Sequence, residues 1–523
     1  AWVYYSNPTD GAARWTLDDV SIINSAVAPQ PAITSTQNLI NFFILPSGST
    51  SQSKSFKFWA NDVSGGLTLT APAGFEISKD NSAFFAGFGY AGLDLRNEQT
   101  VYVRFKPTEA DKGYGGNLQF AASNLTINKV DVTGSSLPKE KSLDVVAWNI
   151  EWFGHPSNGP VDNNKQAAFA KTVMDSLDAD IYVLQEIVDT ALLGTLTRSL
   201  NGTYDYAVSL YSSLASNSND PDWPLAQKLA YIYRRNTFTN INTRGFLLSN
   251  PAAADSFASG RVPFLMEADV TIDGITKRIS FLNIHGKAGS AFSDYSDRRG
   301  GSKYMTDTLN TFFTNNHFAI VGDYNDDLDA TIVPTAGTTQ TPYFHITTDP
   351  ARYTPVSLWN SIRGDQSTFS NPEVIDHISV SNEMNGDYHP FSSILRRDVI
   401  PLVTRFVDSV SDHIPVIARF NLRQSNTNVI TSVRNIIRDA NFVKVLGNPS
   451  AQPLLQFGKN ITGDVQLRLM NSMGQIVWEK RLSNVAAGEL QAVDMNGMAK
   501  GVYTIMITSK EGVATKKVVR SPL

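Results

Sequence analysis

Several short stretches, far apart in the chain, put residues capable of acid–base or metal chemistry at the ends of apolar runs. LDVVAWNIEWFG carries Asn149 near the end of a strand-like run, and ADIYVLQEI delivers Gln185 and Glu186. Downstream come FLNIHG with His285, VGDYND with Asp323 and Asn325, VIDHISV with Asp376, and SDHIPV with Asp412 and His413. Strands that end in an amide and a carboxylate suggest a metal cradle, because oxygen ligands suit Mg²⁺ and Mn²⁺. With no cysteine in the chain, zinc–thiolate sites, thiol nucleophiles and disulfides are excluded.

The elements that must position these residues form an alternating pattern. From Lys141 to about Phe420, strands alternate with helices. Ala167, Ala170, Val173, Met174 and Leu177 recur at helical spacing and predict a helix over 163–177, with Asp162 as its N-cap. A similar helix is expected over 302–313. Buried strands are expected at 230–233, 279–284, 319–321 and 414–420. Asp323 and Asn325, two apart on one turn, point the same way if the backbone stays extended. Glu151, two residues after Asn149, shares its strand face and lies within reach of metal or phosphate.

The flanking sequence is all β. From Leu39 to Val132, short alternating runs such as TVYVRFKP are separated by Gly, Pro and Asp-Asn turns. Tyr90, Phe88 and Tyr114 would offer a carbohydrate surface if exposed, although aromatic residues in sandwiches more often form the core. The last eighty or so residues read as hairpins around 472–474 and 510–512. Hydrophobic content of 42% and charged content of 18% fit folded domains, and a net charge of −5 argues against a broadly basic nucleic-acid coat. No apolar run approaches the length of a membrane span. The opening AWVYYSNPTDGA lacks the pattern of a signal peptide, so the expectation is a chain that begins after processing or is a fragment.

In order, WNIEWFG, LQE, RVPF, NIH, GDYN, IDHI and SDHIPV resemble the endonuclease/exonuclease/phosphatase superfamily. The closest flavour is that of extracellular bacterial nucleases. The resemblance implies a deoxyribonuclease I-like α/β four-layer sandwich as the catalytic domain of a multidomain protein, flanked by all-β sandwich modules. It implies a metal held by Glu186, Asn149 and Asp412, with Mg²⁺ the expected cation and Mn²⁺ or Ca²⁺ the alternatives. Asp323 and Asn325 would position the attacking water and a phosphate oxygen. His413, oriented by Asp376, would contact the scissile phosphate. His285 would act on the leaving group or a phosphate oxygen, and Arg261 would clamp phosphate as a fork. That chemistry matches what phosphodiester hydrolysis needs: a nucleophilic water, a cation for the developing charge and an acid for the leaving oxygen.

Two positions depart from the superfamily pattern. Val188 stands where relatives of deoxyribonuclease I place a minor-groove Arg, and Gln227 where they place the Glu that orients the first His. Lys287 is a further candidate phosphate contact. His377, His155, His317, His345 and His389 read as packing or surface residues, and Asp326, Asp327 and Asp329 as a solvated loop.

GGLTLTAPAGFEISKDN resembles the immunoglobulin-like modules of secreted multidomain proteins of Bacteroidota. At the C-terminus, NPS at Asn448, the Met-Gly-Gln turn near Gly474, KGVYTIMI and KKVVR resemble the type A sorting domain of the type IX secretion system. This implies release or display at the cell surface, with the translocon and outer-membrane shuttle as partners. The expected order is the end of a jelly-roll module (1–27), an immunoglobulin-like sandwich (32–136), the catalytic domain (140–422), a linker (423–439) and the sorting domain (440–523). The favoured function is a secreted, metal-dependent nuclease acting on extracellular DNA or RNA. The alternatives are a phosphatase or phosphodiesterase on lipid head groups or small esters, and an inactive surface adhesin.

Overall fold

The computed structural model describes residues 31–423 and 442–520, apart from 214, 216–217, 259, 448–449, 451, 471–475, 499 and 510–511. The expected 1–27 module, and the 423–439 linker but for Arg423, lie outside the described residues. The chain divides into two compact units: one takes residues up to Ile40, Ser51–Lys106 and Gly116–Val132, the other Asn41–Thr50, Pro107–Gly115 and the chain from Thr133.

The described residues of the first unit form strands, with one short 3-10 turn at Asp94–Arg96. Ala32–Ser35, Lys54–Asn61, Gln99–Phe105 and Phe75–Ser78 pair in that order as an antiparallel sheet. Its alternating apolar residues turn inward, with Phe58, Val101, Val103 and Phe105 fully buried. Tyr90 packs edge-on against Phe58 and is 5% exposed. Tyr114, of the second unit, is equally buried, so neither tyrosine presents a free ring to a sugar.

Within the second unit, twelve strands make two sheets. They are β1 (Leu143–Phe153), β2 (Ile181–Ile187), β3 (Tyr204–Ser212), β4 (Lys228–Arg234), β5 (Phe238–Gly245), β6 (Phe264–Ile272), β7 (Ile275–His285), β8 (His317–Asp323), β9 (Tyr353–Thr354), β10 (Asp376–Ser381), β11 (Ile394–Leu395) and β12 (Val416–Phe420). One sheet runs β3-β4-β2-β1-β12-β11, the other β5-β6-β7-β8-β10-β9. One core joins Val145, Ala147 and Val183 of the first sheet to Met266, Phe281 and Val321 of the second, so the sheets pack face to face. The central strands are apolar on both faces because their other faces are covered as well.

Helix α1 (Asn163–Leu177) covers the first sheet. It is capped by Asp162, whose carboxylate accepts from the Lys165 amide at 3.0 Å. The Tyr182 hydroxyl donates to the Met174 carbonyl at 2.6 Å and ties α1 to β2. Helix α2 (Phe292–Phe312) covers the second sheet, where Met305 and Leu309 pack with Leu282, Ile284 and Ile320. It begins ten residues before the expected start at 302, from Phe292. Gly300 and Gly301 obscure the pattern there, yet they sit inside the helix because it passes close to residues 256–257; a Cβ on Gly301 would stand 3.0 Å from the Phe257 ring.

A polar seam pins the sheets together just below one edge. Asn283 Nδ2 donates to the carbonyls of Leu184 and Ala230, and Gln185 Nε2 donates to Asn283 Oδ1 at 2.8 Å. Buried amides tolerate the interior only when paired in this way, and the pairing fixes how the sheets slide relative to each other.

The C-terminal strands form their own core. Ile476–Val485, Ile461–Met470, Gly501–Ser509 and Gly512–Arg520 make an antiparallel sheet. Its buried cluster draws only on residues from Phe442 to Val518.

Candidate active site

Strand direction brings the scattered motifs to one edge. β1 and β2 are parallel, with Asn149 beside Gln185; β7 and β8 are parallel, with His285 beside Asp323. β10 is antiparallel to β8 and begins with Asp376 opposite Asp323. Four strands therefore end, and one begins, at the same rim, with Asp412 and His413 just before β12. Gly322 permits this closeness: at its φ of 143°, a Cβ would lie 2.1 Å from the Ile284 carbonyl oxygen.

The backbone at the rim is bent. Trp152 and Glu186 have φ of 48° and 60°, and the β1–β2 register slips between Asn149 and Phe153. Left-handed non-glycine residues clustered at a rim are a recurrent feature of functional sites. The bend brings the Trp152 amide to Glu186 Oε2 at 2.9 Å. Asn325 also has a positive φ, 53°, and its amide donates to Asp323 Oδ1 at 2.8 Å. The extended backbone expected between Asp323 and Asn325 is therefore absent; the aspartate folds the chain back on itself.

Asn149 spans two acidic groups. Its Nδ2 donates to Glu186 Oε1 at 3.2 Å and to Asp323 Oδ2 at 3.1 Å, and its Oδ1 accepts from the Glu151 amide. On one side stand Glu186, Glu151 and Asp412, with Glu151 Oε2 accepting from the Asp412 amide at 3.1 Å. Burial, then the charges of Asp412 and Glu186, push Glu151 up to about 7. Glu151 feels the charges of both other carboxylates, and carboxylate oxygens are donors that suit a hard divalent cation.

On the other side, His413 Nδ1 and Asp376 Oδ2 are 2.8 Å apart, and His413 Nε2 lies 3.9 Å from Asp323 Oδ2. Burial opposes the charged form of His413, but Asp376, Asp323 and Asp412 outweigh it and hold the imidazole protonated well above its ordinary range. Burial, then the Asp376 charge, raises Asp323. His285 Nε2 is 3.4 Å from Asp323 Oδ2, while its buried Nδ1 has no hydrogen-bond partner. Burial, then the charges of Arg261 and His413, keeps His285 neutral. Asp323, Asp376 and His413 also offer ligand atoms within 4.8 Å of one another. The short His413–Asp376 contact already uses Nδ1 and one Asp376 oxygen.

Arg261 lies beneath the site, 3% exposed. Its Nη1 donates to Gln227 Oε1 at 2.5 Å, and its Nη2 approaches the carbonyls of His285 and Gly286 at 3.5 and 3.4 Å. Gln227 is thus engaged with Arg261, and His285 is oriented through its own backbone. Val188 is buried, and Lys287 pairs with Asp294 at 3.2 Å.

Of the expected solvated loop after Asn325, Asp326 and Asp327 are buried instead, whereas Asp329 is exposed as expected. Asp326 is fully enclosed and bonds Arg298, itself 1% exposed, at 2.7 to 2.9 Å. Arg298 also donates to the carbonyls of Lys287 and Gly289, which joins the loops after His285 and Asn325. A lone Arg in a helix pattern carries no mark of this role in sequence. His377 is buried between Ser357 Oγ and the Val374 carbonyl, a packing residue.

Residues 447–521 match the secretion system C-terminal sorting domain. The tail therefore carries the type IX export signal that its motifs implied, which directs the chain to the cell surface or extracellular space. No curated protein matches the chain. Among solved structures, it is similar to an endonuclease/exonuclease/phosphatase from Beutenbergia cavernae, at 14% identity and TM-score 0.41, over 72% of this chain and 100% of that one. It is also similar to an endonuclease/exonuclease/phosphatase from Bacteroides vulgatus, at 16% identity and TM-score 0.39, over 54% and 99%. The human Nocturnin catalytic domain matches at 14% identity and TM-score 0.37, over 54% and 94%.

Proposed function

We propose that the chain is a secreted, divalent-cation-dependent phosphodiesterase whose substrate is nucleic acid, with residues 140–422 as a deoxyribonuclease I-like four-layer domain, 32–136 as an immunoglobulin-like module and 440–523 as the sorting domain. One observation carries the reading: Asn149, Glu186, His285, Asp323, Asp376 and His413, from strands of both sheets, converge on Asp323 Oδ2 and the carboxylates beside it.

Glu186, Glu151 and Asp412 would hold the cation, with Mg²⁺ favoured by an all-oxygen donor set; when bound it supplies positive charge to a phosphate oxygen. Asn149 keeps Glu186 and Asp323 aligned across the site. Asp323, made more basic by burial, takes the proton from the attacking water. His413, held charged by Asp376, faces the phosphate and offsets the charge that develops on its oxygens. His285 and Asn325 complete the ring of donors, and Arg261 holds the His285–Gly286 backbone from below.

A plasmid assay with Mg²⁺, with and without EDTA, tests this. Cleavage should vanish with EDTA, and Glu186→Ala or His413→Ala should lower turnover by at least ~10²-fold. Intact plasmid beside brisk hydrolysis of sphingomyelin or bis-p-nitrophenyl phosphate would move the substrate to lipid head groups or small esters. Near wild-type turnover in either variant would overturn the site.

A further inference from the structure

We propose that Phe369 is a base-stacking platform at the rim of this site, and that the substrate it selects is an unpaired nucleic-acid strand. The inference rests on the nucleic-acid reading above and adds the strand state. Thr368 and His413 pair as an isolated antiparallel bridge. The Phe369 amide donates to the Asp412 carbonyl at 3.0 Å, and the Ile414 amide to the Ser367 carbonyl at 2.8 Å. Phe369 therefore stands opposite Asp412, where side chains leave the backbone about 5 Å apart. The Asp412 carboxylate is itself 3.8 Å from His413 Nε2.

Phe369 is 44% exposed, although it sits in a body whose large aromatic residues are mostly buried. Its ring lies 6.1 Å from that of buried Phe406. Residues next to Phe406 line a hollow of about 480 Å³ that reaches Glu151. Its walls include exposed Val161 and Val407. Its charges are mixed: Glu151, Asp162 and Asp408 against Lys165 and Arg405, with Arg405 paired to Asp408 at 3.0 Å.

A lining with that balance does not draw in a phosphate backbone by charge. The hollow offers apolar contact at Val161 and Val407, the flat contact is the Phe369 ring opposite Asp412, and a nucleobase has the face to use it. A base inside a duplex is already stacked on both sides, whereas an unpaired base is free to settle on a ring. A lipid chain is the competing occupant, but it would leave the acidic lining beside Val161 and Val407 facing hydrocarbon.

The test uses the full chain in Mg²⁺ with three oligonucleotides of one sequence: single-stranded, duplex, and single-stranded with abasic residues replacing the bases. Wild type should cleave the base-bearing single strand fastest. Phe369→Ala should lower kcat/KM on that strand by roughly tenfold, with little change on the duplex or abasic strand, and Phe369→Trp should restore it. An unaltered preference in Phe369→Ala overturns the proposal while leaving the nuclease reading in place. So does a loss confined to sphingomyelin vesicles with strand cleavage untouched, which would make the ring a membrane contact. Wild type that cleaves none of the three, yet hydrolyses bis-p-nitrophenyl phosphate, would sink the nucleic-acid reading itself.

Discussion

His413 is the residue on which the electrostatics of the rim turn. Burial favours its neutral form, and only the carboxylates around it, Asp376 foremost, keep it charged. Activity that depends on the imidazolium is present at low and neutral pH and fades as pH rises through its raised pKa. Asp376→Asn removes the largest support, so the alkaline limb of kcat/KM should move to lower pH; an unmoved limb would mean that His413 does not act as the charged group. Asp327 offers a second titration, away from the reacting atoms. Burial pushes it up to about 7, so the folded chain holds a proton there that the unfolded chain releases near the ordinary carboxylate range. Stability from this group is therefore lost as pH rises from about 4 toward 7. Asp327→Asn should gain melting temperature relative to wild type between pH 5 and pH 8. A constant difference would place the charge elsewhere. Residue types were legible at this scale because chemistry limits which side chains can bind cations and move protons. Burial was not: Asp326 and Asp327 look as solvated as exposed Asp329 until Arg298 and the Val374 amide are seen to enclose them.

Strands and helices were readable to the extent that one period ran without interruption. α1 has the bounds its apolar spacing predicts, and its cap is the expected Asp162. α2 was cut short in the reading because two adjacent glycines carry helix-breaking signals, and only packing against residues 256–257 explains their place. The bends at Trp152 and Glu186 were hidden because neither side chain signals a left-handed turn, and a hydrogen bond between the two residues goes with it; Asn325 is of a type that adopts that region readily. The element that joins the loops after His285 and Asn325 is α2 itself, through Arg298. Removing one partner of a buried ion pair leaves the other charge stranded, which typically costs about 3–5 kcal/mol. Arg298→Met should cost that much in urea unfolding and lower kcat by loosening residues 286–289. The double change Arg298→Met with Asp326→Asn should recover part of the stability, since no buried charge remains. If the single and double variants are equally unstable, the pair is not what binds the loops to the helix.

At the scale of the whole chain, the proposed active site and the export signal draw on separate cores. The core cluster beneath the proposed site runs from Leu143 to Leu422, whereas the buried cluster of the tail runs from Phe442 to Val518. The tail was legible because its short motifs keep their order. How two sheets stack was not, since apolar runs buried on both faces look alike whichever sheet they join. A cation would act on the chain as a whole by relieving repulsion among Glu151, Glu186 and Asp412. Mg²⁺ at 100 times Kd should stabilise wild type by the mass-action amount, about 2.7 kcal/mol, and raise its melting temperature accordingly. Glu186→Ala should lose most of that gain, and a gain undiminished in this variant would put the cation elsewhere. Separate cores make a further demand. Deleting residues 442–523 should leave the purified protein's plasmid cleavage, melting temperature and response to Mg²⁺ unaltered, because no residue of the rim or of the core beneath it is lost. The same deletion in the producing cell should hold the protein inside the outer membrane, because the export signal is gone. Normal surface display of the truncated chain would mean that the tail is a structural module and that the address lies elsewhere; lost cleavage in the purified truncation would mean that the catalytic body needs the tail to fold.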